Sequence, residues 1–258
     1  MIKKIIEIYR YREMLRNLVS KELQIRYKNS VLGFFWTFLN PLLMLVVYTF
    51  VFSTIMKSDI KDFSIFLFIG LLAWNYIAGS VLQGTGCLVA NSSLLKKVYF
   101  PREVIPLSIV FANMINYILS MIILLVALLI SGIGIHHDIL FYPVILLVQT
   151  IFLIPLVLIL SVVNVYFRDL EHTVNVLINL WFFTTPIVYP ISIVPEHLRI
   201  FFYLNPATHI VEAYLAIMYY RTPPNLLALF WMFVGSIIFF WIGFLIFDRL
   251  QRRVAEEV

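Results

Sequence analysis

VIPLSIVFANMINYILSMIILLVALLISGIGIHH, residues 104–137, runs without a single Asp, Glu, Lys or Arg, and it decides the fold. An α-helix needs roughly 20 such residues to cross about 30 Å of hydrocarbon. Working outward, comparable uncharged runs occupy 29–56, 63–95, 139–167, 172–195 and 222–247. The composition, 62% hydrophobic and only 13% charged, agrees with an all-α integral membrane protein of six transmembrane helices. The spans are expected at 31–56, 63–83, 105–132, 142–166, 173–193 and 225–248 of one transmembrane domain.

Positive charge sets the orientation. With the N-terminus inside, fifteen of the 19 Lys and Arg residues fall on the cytoplasmic side. Only Lys57, Lys61, Arg199 and Arg221 fall outside, so both termini are expected in the cytoplasm. The net charge of +5 then reads as topology and lipid head-group contact, not nucleic-acid binding. Residues 1–28 are too polar to span, and the apolar run after Lys28 is too long for a cleaved signal. Tyr11, Met14, Leu15, Leu18 and Val19 recur at helical spacing, which predicts an amphipathic helix in the membrane interface or against a soluble partner.

Between spans five and six, Pro195 and Pro206 each suit a first helical position, and Asn205 suits an N-cap. The pieces 195–204 and 207–220 are too short to cross. They read as a re-entrant pair lining a cavity mouth, with two helices flat on the outer surface as the alternative.

Polar residues at helical spacing mark the faces that carry chemistry. Asn113, Asn116 and Ser120 share one face of span three, and Ser161, Asn164 and Arg168 one face of span four. Span five carries Asn175, Asn179, Trp181, Phe182, Phe183, Thr184 and Thr185, which makes it the pore-lining candidate, with Tyr189 at its outer end. A single intramembrane Asn is explained by interhelical hydrogen bonding. Amides beside aromatic rings also suit a carbohydrate path, because rings cover sugar C–H faces while amides bind hydroxyls.

No G-x-x-x-x-G-K-[ST], H-E-x-x-H or G-x-S-x-G occurs, and the five histidines lack metal-ligand spacing; His136 and His137 read as an outer turn. Asp169 and Glu171 read as loop charges balancing Arg168, not as a catalytic pair. No span holds the paired carboxylates of a proton-driven carrier, so transport would draw its energy from another subunit. The segment Asn91, Ser92, Ser93, Leu94, Leu95, Lys96, Lys97, Val98, Tyr99 reads as a short cytoplasmic helix that a partner could grip.

Arg26-Tyr27-Lys28-Asn29-Ser30-Val31-Leu32-Gly33-Phe34-Phe35-Trp36 with Asn40-Pro41, then Phe100-Pro101-Arg102-Glu103, Phe167-Arg168-Asp169-Leu170, Thr185-Pro186-Ile187-Val188-Tyr189 and Asn205-Pro206, resemble in order and position the ABC-2-type permeases that export polysaccharides. The O-antigen exporters are the most similar, with capsule and teichoic-acid permeases next. The resemblance covers essentially the whole chain. It implies a homodimer in the bacterial inner membrane above two copies of a cytoplasmic ATPase, which would bind ATP and Mg while this chain binds no cofactor. Residues 91–99 would be the coupling helix. A lipid-diphosphate-linked polysaccharide would enter past Arg26, Lys28 and Arg168, and Tyr48, Phe52, Trp181, Phe182 and Phe183 would supply the aromatic lining.

Overall fold

Four helices in the computed structural model are long and apolar enough to cross a membrane. They are α4 (Phe63–Ala90), α6 (Val104–Ile130), α7 (Tyr142–Tyr166) and α11 (Leu226–Leu250). The structure describes residues 2–25, 30, 32–51 and 61–251. Among these, the shorter helices are α1 (Ile2–Arg10), α2 (Arg12–Ile25), α3 (Trp36–Thr49), α5 (Ser92–Lys97), α8 (Leu170–Phe183), α9 (Glu196–Tyr203) and α10 (Pro206–Leu215). The protein is therefore an all-helical integral membrane protein among the described residues.

Helix α4 is the centre of the bundle. It touches α3, α6, α7, α8 and α10, and most of its residues are buried. It outruns the expected span, passing through Gly84 and Gly86 to Ala90. Gly84 is needed for proximity, since a Cβ there would lie 2.3 Å from Val157 Cγ1 of α7. Helix α11 packs along the other side of α7 through a second close approach, where a Cβ on Gly243 would meet Pro155 Cβ at 2.6 Å and its Cα at 3.0 Å. Small residues let helix backbones approach where lipid supplies no hydrophobic drive.

Polar groups fasten the helices. Gln149 of α7, fully buried, donates to the Ala73 carbonyl of α4 at 3.0 Å and accepts from Tyr214 Oη of α10 at 2.9 Å. Tyr76 and Thr150 pair their hydroxyls at 3.0 Å. Tyr76, Tyr117, Tyr142 and Tyr214, one from each of four helices, cluster with ring centroids 5.6–6.2 Å apart, Tyr117 stacking on Tyr76 and Tyr142 and meeting Tyr214 edge-on.

Several expectations are corrected. The expected N-terminal helix is two, broken at Tyr11, and its apolar stripe does not face lipid or a foreign partner. Leu18 and Val19 are buried, and Leu18, with Tyr11, Met14 and Leu15, joins the core formed by Cys87, Leu88, Val104 and Ile105. Span one is α-helical from Trp36, after a 3-10 turn at Gly33–Phe35, and residues 31 and 52–56 lie outside those described. Span five stops at Phe183 instead of 193. Pro186 has no N–H to continue the ladder, and its ring disfavours helical backbone at Thr185.

The chain nevertheless continues along α4 beyond that point. Glu171 sits against Gly86, Trp181 and Phe182 against Trp74, and Ile187 against Gly70. From Gly86 to Gly70 is about 24 Å of helix rise. Helix α8 with the irregular stretch 184–188 thus covers most of a bilayer's depth. The two short helices expected here are present but unequal: α9 has no buried residue, whereas α10 is sunk against α4, α7 and α11.

Gly243→Ala should destabilise the protein by about 1–3 kcal/mol, because Pro155 backbone cannot yield cheaply. Gly235→Ala, on the same helix with open space around it, should cost nothing. Unfolding midpoints in matched detergent would check this; equal midpoints would show that the α7–α11 contact is loose.

Candidate functional site

Helices α3, α4 and α6 diverge around a cavity of about 520 Å³. Helix α3 offers Thr37, Asn40, Met44 and Tyr48, α4 offers Asn75 and Tyr76, and α6 offers Asn113, Asn116 and Ser120. The sets on α3 and α6 repeat at three or four residues, and on α4 Asn75 and Tyr76 follow Leu71 and Leu72 by four, so each helix turns one face to the space. The wall on α3 is opened further by Pro41, which has no N–H to give the Thr37 carbonyl one turn earlier.

Hydrogen bonding in this wall is uneven. Asn113 Nδ2 donates to Gln83 Oε1 at 3.2 Å and to the Ile109 carbonyl at 3.0 Å. Gly79 makes room for that amide, since a Cβ there would stand 2.7 Å from Asn113 Oδ1. Ser120 Oγ donates to the Asn116 carbonyl at 2.8 Å. By contrast, both amide atoms of Asn116 and the Thr37 hydroxyl are buried without a hydrogen-bond partner among the described residues. An unpaired buried polar group costs about 1–3 kcal/mol, so this arrangement is stable only if water or a polar ligand supplies the bonds.

The residues expected to line one path are divided among several places. Tyr48 faces this cavity. Trp181 and Phe182 are half-buried against Trp74, with centroids 5.6 and 5.7 Å away, and serve as packing between α8 and α4. Asn175, Asn179 and Phe183 are exposed on the faces of α8 turned away from the bundle. Asn179 Nδ2 reaches only its own helix, at the Asn175 carbonyl. Tyr189, beyond the helix, donates to the Phe183 carbonyl at 2.6 Å. Phe52, Arg26 and Lys28 lie outside the described residues, and Arg168 is exposed in the turn between α7 and α8.

Asn205 closes the outer end of α8. It accepts from Trp181 Nε1 at 2.7 Å and from the Ala207 amide at 3.0 Å, as the expected N-cap of α10. Its Nδ2 donates to Thr185 Oγ1 at 2.9 Å and to the Thr184 carbonyl at 3.1 Å. One side chain thus satisfies the backbone where α8 breaks. A second cavity of about 540 Å³ lies beside this junction, lined by Pro186, Pro190, His209, Glu212, Tyr220 and Asn225 among others. The expected cavity mouth is therefore formed mainly by α10 and not by α9.

At the opposite end, α5 is shorter than expected. Leu95 and Phe100 are its buried anchors, while Ser93, Lys96, Lys97, Val98 and Tyr99 are exposed and Ser92 and Leu94 intermediate. Asn91 does not cap α5 through its side chain; it accepts from Lys21 Nζ at 3.1 Å and donates to the Cys87 carbonyl at 2.9 Å. Beside this loop, Lys4 pairs with Asp248 and, at 3.2 Å, with Glu103, which is 2% exposed. Burial works against the Lys4 ammonium, but the Asp248 and Glu103 carboxylates outweigh it and raise its pKa above that of an ordinary lysine. Gln251 donates to both carboxylates. This cluster, which joins α1, α6 and α11, escaped sequence reasoning because its members are far apart in the chain and each reads as a solvated end charge.

Residues 13–219 match the profile of the family described as ABC-2 type transporter. The chain is 37% identical over 260 residues to an O-antigen export system permease protein RfbA of Myxococcus xanthus, covering all of both chains. It is 32% identical over 245 residues to an RfbA of Klebsiella pneumoniae, covering 95% of this chain and 94% of the relative. A polysialic acid transport protein KpsM of Escherichia coli is 24% identical over 200 residues, 76% of this chain and 77% of that one. The chain belongs to the ABC-2 type transporter family, and it is a transport subunit, not an enzyme.

Replacing Asn205 by Ala should cost at least about 2 kcal/mol, from the lost cap and the orphaned Trp181 indole. Asn205→Asp, which keeps both acceptor bonds, should recover more than half. Equilibrium unfolding in mixed micelles would decide, and an Ala variant as stable as the parent would remove Asn205 from this role.

Proposed function

We propose that this chain is the transmembrane subunit of an ATP-driven exporter that moves a lipid-diphosphate-linked polysaccharide of the O-antigen type. The direction is from the cytoplasm across the bacterial inner membrane. The observation that carries this reading is the full-length similarity to permeases named for O-antigen export, at 37% identity. The lower and partial identity to a polysialic acid permease ranks capsule export second.

In this reading the protomer crosses six times with both termini inside. The four long helices supply four crossings, α3 with its continuation the first, and α8 with residues 184–188 the fifth. Two protomers associate through α3 and α8, whose exposed faces carry Met44, Val47, Val176, Leu180 and Phe183 together with Asn175 and Asn179. Amides facing lipid would lack partners, whereas across an interface or beside a wet path they find them. Tyr48 and the Asn116 cavity, with Asn175, Asn179, Phe183 and Tyr189, border the sugar path. Trp181 and Phe182 shape it from behind.

Two cytoplasmic ATPase subunits bind ATP and Mg, and each grips α5 through Lys96, Lys97, Val98 and Tyr99. Arg168, with Arg26 and Lys28, meets the diphosphate head group, for which guanidinium is well suited.

The double charge reversal Lys96→Glu, Lys97→Glu should leave the permease folded but release the ATPase or break its dependence on substrate. This would be read as co-purification and ATP hydrolysis in proteoliposomes. Unchanged coupled hydrolysis would move the docking site away from α5. Asn116→Leu should raise the unfolding midpoint while reducing export by about tenfold or more, the trade expected of an unpaired functional amide. Export equal to wild type would exclude the cavity from the path.

A further inference from the structure

The turn joining α6 to α7 brings together two imidazoles and a carboxylate that transport does not use. His136 Nδ1 lies 2.7 Å from Asp138 Oδ2, and His137 Nε2 lies 3.5 Å from Asp138 Oδ1. The two rings face each other with centroids 3.8 Å apart. The Asp138 side chain is only 4% exposed, whereas His137 is open to its surroundings.

Consecutive side chains normally diverge. Here His136 is extended and a 3-10 turn begins at His137, so the three side chains converge on one point. A buried carboxylate calls for a compensating cation. Tetrahedral zinc, with bonds of about 2.0–2.2 Å, sets its ligands about 3.4 Å apart. The two measured separations straddle that value, and one donor atom from each residue lies within 4.8 Å of the others.

We propose that His136, His137 and Asp138 form a binding site for a borderline divalent transition-metal ion of the zinc type. Two nitrogens and one oxygen select such an ion over calcium or magnesium, which favour all-oxygen sets. Three protein ligands leave the fourth position to water. The metal would staple the turn that Gly132 and Gly134 make possible through positive φ, and which Arg221 already ties down by donating to the Gly132 carbonyl at 3.2 Å.

The test uses the full chain in detergent, purified with a histidine-free tag, stripped with chelator and titrated calorimetrically with zinc sulfate. One saturable equivalent is expected, with no saturable heat from magnesium chloride. His137→Gln and Asp138→Asn should each weaken binding by about tenfold or more, while a His172, His197, His209→Gln triple variant keeps it. Zinc binding that persists in His137→Gln and Asp138→Asn would overturn the site. So would the absence of saturable zinc binding to the unsubstituted chain.

Discussion

The structure depends on one constraint: hydrocarbon supplies no hydrogen bonds, so a buried polar group left without a partner in the protein carries a cost. Gln149 meets it by bridging α4 and α10, two helices far apart in sequence. Asn113 meets it with a neighbouring amide and its own helix, in space left by Gly79. Asn205 meets it where the demand is greatest, at the irregular backbone after Phe183. Without that amide the break in α8 would leave polar ends beside apolar helices. The burial of α10 is thus the condition that lets α8 end early.

The same constraint gives the α3–α4–α6 cavity its meaning. A protein that satisfies Gln149 and Asn205 so fully leaves Asn116 without a partner among the described residues. Packing alone would favour leucine there. Retaining an amide with both atoms idle makes sense where the partner arrives from outside, as water or as a sugar hydroxyl in the proposed exporter. The ring of Tyr48 beside it adds the apolar surface that carbohydrate C–H faces need.

Much of this was legible in the sequence, for identifiable reasons. Charge-free runs located the four long helices, since a span's composition is set by lipid and not by neighbours. The Asn113–Asn116–Ser120 stripe announced a polar face, and the Asn205-Pro206 pair announced a cap. What stayed hidden was pairing in three dimensions. Trp181 read as lining because aromatic content on a helix does not reveal which neighbour it meets, here Trp74. Asn75 has no polar residue three or four positions away in its span, and its role is invisible without α3 and α6 opposite. The stripe on α2 read as lipid-facing because apolar periodicity is the same whether lipid or a helix end covers it.

Helix α4 then determines how a motion beneath the membrane would reach the cavity. It presents Asn75 and Tyr76 to the cavity, supports Trp181 of α8 and Ile187 beyond it, and ends at Asn91, directly before α5. The span expected to end at residue 83 continues as helix through Gly84 and Gly86 to Ala90. From Asn91 to Asn75 is about 24 Å of unbroken helix. At the same end of the bundle as α5, Lys21 holds Asn91, and the Lys4–Glu103–Asp248 cluster holds the start of α6 and the end of α11. In the proposed exporter, a push on α5 therefore has no loop in which to dissipate. It tilts α4 against α6, and the space beside those two helices is where Asn116 waits for a partner.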